Sequence, residues 1–320
     1  MEQVKNSRGQ MDLSVVIPVY NSVDSLQELV HRCGTACAGG AIGTYEIIFV
    51  DDASPNPDVW PMIGRLASQY EEVKGIQLTR NFGQQAATLC GFQYATGRYV
   101  LTMDDDLQHR PEDIPALWES REKADVVIGT YANKKQHAVW RNICSRIKGY
   151  LDYKLIGKPR HIALSPFRLI SRMVIDGIVE QKPIYPFIPA MMFSVTQSVI
   201  EVPVTHDTRK YGASTYSARK MVQVFNNLLI NNSSYLLQII GRCGLVAACL
   251  AVLFGLSVLS RKLFFGIEAV GWASIFVATS LLGGLNLLAI SVVGEYLIRI
   301  VRTVESKPQF CIRKLVGSEK

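Results

Sequence analysis

The chain has 320 residues, a net charge of +7 and a hydrophobic content of 48%. This length exceeds that of one ordinary domain, and no basic stripe with interleaved aromatic residues occurs, which argues against a nucleic-acid partner. The seven cysteines include no Cys-x-x-Cys pair and no Cys/His cluster, so the sequence gives no support for a zinc site.

Strands and helices alternate along the first part of the chain. Residues 1–11 are polar and predicted to be disordered. Apolar runs at 13–19, 45–50, 73–79, 98–103 and 125–129 predict buried strands, and helical patterns separate them at 23–37, 58–69, 84–95 and 112–123. Residues 167–172 lead into a further helix, and strands are predicted at 187–195 and 199–204. This alternation is typical of an α/β fold, with a mostly parallel, Rossmann-like sheet flanked by helices.

The C-terminal part carries two long segments without charged residues, 243–260 and 269–294. Each is long enough to cross a hydrocarbon core of about 30 Å as a helix. An amphipathic stretch at 219–239 fits the surface of a membrane, and the excess of basic residues outside the two segments predicts that both termini are cytoplasmic. We therefore expect a globular domain at 12–208, a basic loop and surface helix at 209–239, two transmembrane helices at 240–298 and a cytoplasmic tail at 299–320.

Three consecutive carboxylates, Asp104, Asp105 and Asp106, follow the fourth predicted strand. Alternation along a strand would direct Asp104 and Asp106 to one side and Asp105 to the other. Two carboxylates aimed at one point repel each other unless a cation lies between them. A hard divalent ion such as Mg²⁺ or Mn²⁺ prefers oxygen ligands, and Gln108 could add a neutral oxygen. A solvated acidic turn is the alternative interpretation.

Polar residues also follow the other predicted strands, namely Tyr20, Asp51 with Asp52, and Arg80 with Asn81. Ligands of open parallel sheets bind at the edge formed by the carboxyl ends of the strands. Carboxylates can accept hydrogen bonds from a base or a ribose, an arginine can hold phosphate, and a metal can bridge a diphosphate. A nucleotide diphosphate would use all three. Neither the dinucleotide-binding glycine pattern nor a P-loop occurs.

Seven motifs occur in the order found in a known family. They are Ile17-Pro18-Val19-Tyr20-Asn21, Val50-Asp51-Asp52-Ala53-Ser54, Arg80-Asn81-Phe82-Gly83-Gln84, Asp104-Asp105-Asp106-Leu107-Gln108 with Pro111-Glu112, Phe167-Arg168-Leu169, Arg209-x-x-Gly212-x-Ser214-x-Tyr216, and Gly294-Glu295-Tyr296. Together they resemble the polyprenyl-phosphate glycosyltransferases, bacterial relatives of dolichol-phosphate mannose synthase within family 2. The resemblance covers nearly the whole chain and implies the GT-A fold.

The resemblance implies a reaction and its partners. A sugar would move, with inversion at its anomeric carbon, from a nucleotide diphosphate sugar to a polyprenyl phosphate. A UDP-sugar donor and undecaprenyl phosphate are the expected substrates, with Mg²⁺ or Mn²⁺ as cofactor. The protein would be a multi-pass protein of the inner membrane with a cytoplasmic catalytic domain, and it could form homo-oligomers.

Together with the strand-end pattern, the resemblance implies roles for individual residues. The expected metal ligands are Asp104, Asp106 and Gln108, and the expected catalytic residues are Asp106 and Arg209. The nucleotide-sugar contacts would be Pro18, Tyr20, Val50, Asp52, Arg80, Asn81, Asp104 and Asp105. The acceptor-phosphate contacts would be Arg168, Arg209, Lys210, Ser214 and Tyr216.

The chain departs from the family pattern at three places. Ser22 stands where the family usually has an acidic residue, residues 163–166 contain no carboxylate, and Thr215 stands where a lysine is common. These departures leave open a membrane-bound nucleotide-sugar-binding or scaffold protein with impaired catalysis. A processive polysaccharide synthase is a further alternative, but its Gln-x-x-Arg-Trp element does not occur.

Overall fold

The computed structural model describes residues 11–39, 41–131, 157–159, 162–183, 186–205, 271–304 and 308–317, with isolated positions between 244 and 264. The chain forms two compact units. One consists of Met1–Ala218 together with Pro308–Lys320, and the other is Arg219–Lys307.

The described part of the first unit is a mixed α/β domain. Its strands are β1 (Met11–Val19), β2 (Tyr45–Asp51), β3 (Val73–Leu78), β4 (Gly97–Thr102), β5 (Val126–Tyr131), β6 (Arg168–Ser171), β7 (Val199–Val204) and β8 (Ile312–Val316). Its helices are α1 (Asp24–Cys37), α2 (Val59–Gln69), α3 (Gln84–Tyr94), α4 (Ile114–Glu119, after a 3-10 turn at Pro111–Asp113), α5 (Arg172–Glu180) and α6 (Ile188–Val195).

All eight strands form one sheet in the order β7-β5-β6-β4-β1-β2-β3-β8. The four neighbours β4, β1, β2 and β3 are parallel, so their carboxyl ends share one edge. Helices cover both faces of this part of the sheet. Along β1, Val15 and Ile17 pack into the core on one face while Val16 packs into the core on the other. The nearly continuous apolar sequence of β1 follows from this double burial.

The alternation predicted for the first part of the chain is confirmed, with boundaries that differ by a few residues. The predicted strand at 187–195 is wrong, because Ile188–Val195 is the helix α6. A short apolar run does not distinguish a buried strand from a buried helix, and Pro189 is well tolerated in a first helical turn. The prediction also lacked β6, which pairs antiparallel with both β4 and β5.

The C-terminal residues assigned to a tail include the edge strand β8, which pairs antiparallel with β3. The backbone N–H of Thr79 donates to the carbonyl of Cys311 over 2.9 Å, and Arg313 donates to the carbonyl of Thr79 over 2.9 Å. The segment before β8 therefore lies beside the residues that follow β3. The three central residues of β8 are all exposed, as in a solvated segment, so only its pairing with β3 identifies it as a strand.

In the second unit the structure describes one long helix, α7 (Trp272–Val304), which covers much of the second predicted membrane segment. Of the first segment, 243–260, the structure describes only scattered positions. Among the residues that the structure describes, no helix meets the combined requirements of length and hydropathy for crossing a membrane.

The buried carboxylate of Glu46 links the amino-terminal ends of the parallel strands, opposite the carboxyl ends described above. Glu46 is fully buried in β2 and accepts hydrogen bonds from the Ser14 hydroxyl and from the N–H and hydroxyl of Thr96, while Lys74 forms an ion pair with it at 2.7 Å. Burial raises the pKa of Glu46, but Lys74 and the hydrogen bonds outweigh that effect, so its pKa is lowered overall. This network links β1, β2, β3 and the residues before β4.

We expect Glu46→Gln to destabilise the chain by about 1–3 kcal/mol, because the partly buried ammonium of Lys74 loses its charged partner. Thermal unfolding of the full chain at neutral pH measures this effect. Since the folded pKa is lowered, the advantage of wild type should be present above the ordinary carboxyl pKa and decline as the pH falls through the folded pKa. An equal difference at neutral and strongly acidic pH would contradict the ionic role.

Candidate active site

The carboxyl ends of the parallel strands are joined by hydrogen bonds. The N–H of Tyr20, after β1, donates to Asp105 Oδ2 over 3.2 Å, and the N–H of Asn21 donates to Ser54 Oγ over 2.9 Å. Asp52 accepts from the N–H groups of Phe82 and Gly83, which follow β3, over 2.7 and 2.8 Å. The polar residues predicted to share one edge are therefore brought together there.

The backbone at this edge is strained. Among the described residues, the non-glycine positions with positive φ are Asn21 (64°), Ala53 (52°) and Leu107 (59°). They follow β1, β2 and β4, respectively. Such conformations cost about 1–3 kcal/mol each and concentrate at functional sites. The observed strain supports a ligand site at this edge, independently of the types of residue found there.

The three consecutive aspartates lie in a turn beyond the end of β4, so strand alternation is not what directs them. Asp104 Oδ1 accepts a hydrogen bond from Gln84 Nε2 over 2.6 Å. Asp105 faces the residues after β1, where the N–H of Tyr20 donates to it and the hydroxyl of Ser22 lowers the pKa of its carboxyl. Asp106 is 7% exposed, and its Oδ1 accepts from the N–H of Gln108 over 3.1 Å.

Negative charge is concentrated around Asp104. Burial, followed by the neighbouring charges of Asp106 and Asp105, raises the pKa of its carboxyl to about 7. Arg168 and Gln84 act in the opposite direction. Burial and hydrogen bonding affect Asp105 too, with burial dominant, so its pKa is also raised. Removing these carboxylates from water therefore costs free energy that a bound cation would recover.

Arg168, predicted as an acceptor-phosphate contact, is the described cation whose charge acts on Asp104. It begins β6, is 4% exposed, and places Nε 3.4 Å from Thr102 Oγ1. Burial lowers its pKa to about 10 while the charge of Asp104 raises it, so the guanidinium remains protonated at neutral pH. Its position favours a role as counter-charge to Asp104.

The acidic turn fits a divalent ion that completes its shell with ligands from elsewhere. Within the described ranges, no group of three or more His, Cys, Asp and Glu side chains is arranged to hold a metal. The predicted set has only two side chains of these types, Asp104 and Asp106, and adds the amide of Gln108. Such a set suits Mg²⁺ or Mn²⁺, which commonly keep water or phosphate oxygens as further ligands. The mutual repulsion that raises the pKa of Asp104 is the feature of this turn that a cation would relieve.

The remaining predicted donor contacts differ in accessibility. Tyr20 is 43% exposed after the end of β1, and Arg80 and Asn81, which follow β3 at the same edge, are both exposed. The guanidinium of Arg80 lies 4.1 Å from the centre of the Phe82 ring. Pro18 and Val50 are paired in register near the ends of β1 and β2, and both are buried, so their side chains belong to the packed interior. The predicted contacts of the basic loop lie outside the described residues, namely Arg209, Lys210, Ser214 and Tyr216.

Two residues at the acidic turn were given no role on the sequence alone. Gln84 occurs in a quoted motif, but only the fold shows that it reaches Asp104. His109 is isolated in the sequence from other histidines and cysteines. It is 3% exposed, and its Nδ1 accepts a hydrogen bond from the N–H of Asp104 over 3.3 Å. In the sequence, only its position directly after the predicted metal ligand Gln108 indicates that it lies near the site.

The structure gives a physical reason for the first departure from the family pattern. The hydroxyl of Ser22 acts on Asp105, one of the three consecutive aspartates, and lowers the pKa of its carboxyl against the larger opposing effect of burial. An acidic side chain at position 22 would face that carboxylate and repel it. Ser22 and Asp105 are therefore matched to each other, and this departure does not by itself indicate loss of activity.

We expect Ser22→Glu to destabilise the chain by about 1–3 kcal/mol, because it replaces a neutral hydroxyl by a charge of the same sign as Asp105. Combining it with Asp105→Asn should recover most of the loss. Thermal unfolding of wild type, both single variants and the double variant measures the coupling, and Ser22→Ala isolates the loss of the hydroxyl. Additive effects of the two substitutions would show that the side chains do not interact.

We also expect Mn²⁺ affinity to depend on pH through Asp104. Metal binding requires the ionised carboxylate, whose pKa is raised to about 7. Affinity should therefore be highest above pH 7 and decrease by up to about tenfold per pH unit below it. Titration of the full chain with Mn²⁺, followed by electron paramagnetic resonance, checks this. An affinity that stays constant between about pH 8 and pH 6 would contradict the assignment.

Comparison with known proteins gives consistent matches. The family model described as "Glycosyl transferase family 2" matches residues 14–179. The undecaprenyl-phosphate 4-deoxy-4-formamido-L-arabinose transferase of Klebsiella pneumoniae (strain 342) is 32% identical over 307 residues, which cover 95% of this chain and 93% of that protein. The transferase of the same name from Photorhabdus laumondii is 30% identical over 321 residues, covering 100% of this chain and 97% of that protein.

Similar chains also occur among solved structures. Glucosyl-3-phosphoglycerate synthase from Mycobacterium tuberculosis, crystallised with Mn²⁺, UDP-glucose and phosphoglyceric acid, matches with a TM-score of 0.49 and 14% identity. The match covers 76% of this chain and 83% of that chain. On the family model and the curated relatives, the chain belongs to glycosyl transferase family 2 and, as the ordered motifs predict, to its polyprenyl-phosphate glycosyltransferases.

Proposed function

We propose that the protein transfers a sugar from a nucleotide diphosphate sugar to a polyprenyl phosphate, with inversion at the anomeric carbon. The observation that carries this proposal is the crowding of carboxylates at the edge where Tyr20, Asp52 and Arg80 also lie. The names of the curated relatives support undecaprenyl phosphate as the acceptor. We propose a UDP-sugar as the donor.

The donor nucleotide would lie along the ends of β1, β2 and β3. The exposed ring of Tyr20 offers a surface for stacking, and Asp52 retains lone pairs beyond those that accept from the backbone after β3. Arg80 and Asn81 lie beside them and suit a phosphate or ribose oxygen. Asp105, which accepts hydrogen bonds from β1, adds an acceptor between β1 and β4.

Asp104, Asp106 and Gln108 would hold Mg²⁺ or Mn²⁺ on the diphosphate, and Asp106 is the residue on which we expect transfer to depend most strongly. When bound, the ion would neutralise negative charge on the leaving diphosphate. Arg168 limits the repulsion among the carboxylates. Both effects lower the electrostatic cost of bond cleavage, and electrostatic stabilisation of this kind commonly contributes more to catalysis than any other single effect.

The acceptor phosphate would be oriented by the basic loop, with Arg209, Lys210, Ser214 and Tyr216 as its contacts. A phosphate oxygen attacks the anomeric carbon as the bond to the diphosphate breaks, and the nucleoside diphosphate departs. The acceptor oxygen is already anionic near neutral pH, so a general base is not required. Positioning two anionic substrates against each other is then the main task of the protein.

A lipid acceptor requires access to a membrane. The two apolar segments and the amphipathic stretch at 219–239 support a multi-pass protein of the inner membrane with a cytoplasmic catalytic domain. Helix α7 exposes large apolar side chains, among them Ile275, Leu287 and Ile290. Assembly into homo-oligomers is part of the same proposal.

The test is transfer to undecaprenyl phosphate from a panel of nucleotide sugars, by membranes that contain the full chain. We expect a lipid-linked monosaccharide detectable by mass spectrometry. Asp106→Asn should reduce the rate by at least about a hundredfold, because charge on the leaving group is no longer offset. Asp176→Asn is the matched control, since it makes the same chemical change on the surface of α5.

Three results would contradict the proposal. Nucleotide binding without turnover of any donor would favour a binding or scaffold protein. Growth of the product beyond one sugar would favour a polysaccharide synthase. A fully active Asp106→Asn variant would remove the acidic turn from the reaction.

A further inference from the structure

His109 is enclosed between two aromatic rings beside the acidic turn. Its ring lies 5.3 Å from the centre of Phe167 with an interplanar angle of 14°, and 6.2 Å from that of Tyr131 with an angle of 9°. Phe167 directly precedes β6 and Tyr131 ends β5. The imidazole is therefore fixed by two strands that are separate from β4, where the acidic turn begins.

The fixed ring offers an acceptor to the backbone of the turn. The N–H of Asp104 donates to His109 Nδ1 over 3.3 Å, and the same nitrogen lies 3.9 Å from Asp104 Oδ2. For Nδ1 to accept, its lone pair must be free of a proton, so the ring is assigned as the tautomer protonated at Nε2. This hydrogen bond joins the first and the last residue of the segment 104–109.

A second hydrogen bond and a buried side chain restrain the rest of the segment 104–109. Leu107 has φ of 59° and is fully buried, and the N–H of Gln108 donates to Asp106 Oδ1 over 3.1 Å. The segment thus reverses direction with its apolar residue inside, while the charges of Asp104 and Asp106 remain close enough to act on each other. A turn that contains a residue in the left-handed region needs such restraints to keep one conformation.

Phe167, which stacks on His109, is also the neighbour in sequence of the arginine that acts on Asp104. It neighbours Arg168, the buried guanidinium whose charge acts on Asp104. The start of β6 therefore supplies two things to the turn: one face of the stack that holds His109, and the positive charge that opposes the carboxylates. Any shift of the ring would move the Asp104 backbone relative to that charge.

We propose that His109 is a positioning residue, whose Nδ1 fixes the Asp104 backbone so that Asp104 and Asp106 are preorganised to hold a divalent ion. This inference rests on the metal role put forward in the proposed function. Residues that orient metal ligands typically change metal affinity by about 10–100-fold when they are altered. The hydrogen bond here reaches the ligand through its backbone.

Two substitutions distinguish the role of His109 as a hydrogen-bond acceptor from its role as a stacked aromatic ring. His109→Asn places its side-chain oxygen near the position of Nδ1 and so can retain the acceptor, although it loses the aromatic ring. His109→Phe retains an aromatic ring between Phe167 and Tyr131 but has no acceptor for the N–H of Asp104. A merely structural ring would favour Phe over Asn, whereas an acceptor would favour Asn over Phe.

The measurement is Mn²⁺ binding to the full chain in the presence of UDP, followed by electron paramagnetic resonance. We expect His109→Phe to weaken binding by about tenfold or more and His109→Asn to stay within about threefold of wild type. The unfolding temperature of each variant without metal is recorded in parallel. Ile63→Val, in the core under α2, is the control for a general loss of stability and should leave Mn²⁺ affinity unchanged.

The outcomes distinguish the inference from the function on which it rests. If wild type binds Mn²⁺ and His109→Phe binds it equally well, the role of His109 is overturned while the metal site stands. The role is also overturned if both variants weaken binding equally, or if Ile63→Val does so too. If wild type does not bind Mn²⁺ with UDP, both the metal site and the role of His109 are overturned.

Discussion

The structure of the site depends on an excess of negative charge held out of water. Three aspartates follow one strand, and the burial and mutual repulsion of their carboxylates raise the pKa of Asp104 to about 7. Among the described residues, the buried guanidinium of Arg168 opposes this charge. Holding carboxylates close together away from water costs free energy. This cost is the physical basis for the divalent ion that we propose at the turn.

The fold keeps this charge in place by joining the strand ends to one another. Backbone N–H groups after β1 and β3 donate to Asp105 and Asp52, which lie after β4 and β2. Gln84, at the start of α3, reaches Asp104. Helix α3 in turn lies close to β1, where a Cβ at Gly91 would come within 2.3 Å of Val16. The position of each strand end therefore depends on contacts with its neighbours.

These contacts between strand ends also bear on the departure from the family pattern at Ser22. The hydroxyl of Ser22 lowers the pKa of Asp105, so the residue types at the two positions have to be considered together. The motif taken alone presents Ser22 only as the absence of an acidic residue. In the fold, the carboxylate at this place comes from the turn after β4, while the segment after β1 contributes a hydroxyl. The departures at 163–166 and at Thr215 receive no comparable explanation from the described residues.

The sequence by itself determined the alternating strands and helices, the edge at which polar residues gather, and the family, because each follows from local patterns or from ordered motifs. It did not determine α6, β6 or β8. Short apolar runs are ambiguous between helix and strand, and an edge strand is defined by its partner.

Only the tertiary structure decided that Asp105 turns towards β1, that Arg168 is buried where its charge acts on Asp104, and that His109 accepts from the Asp104 backbone. Each of these contacts joins residues on different strands or across a turn. Their geometry depends on how the sheet is assembled, which the spacing of residues along the chain does not encode.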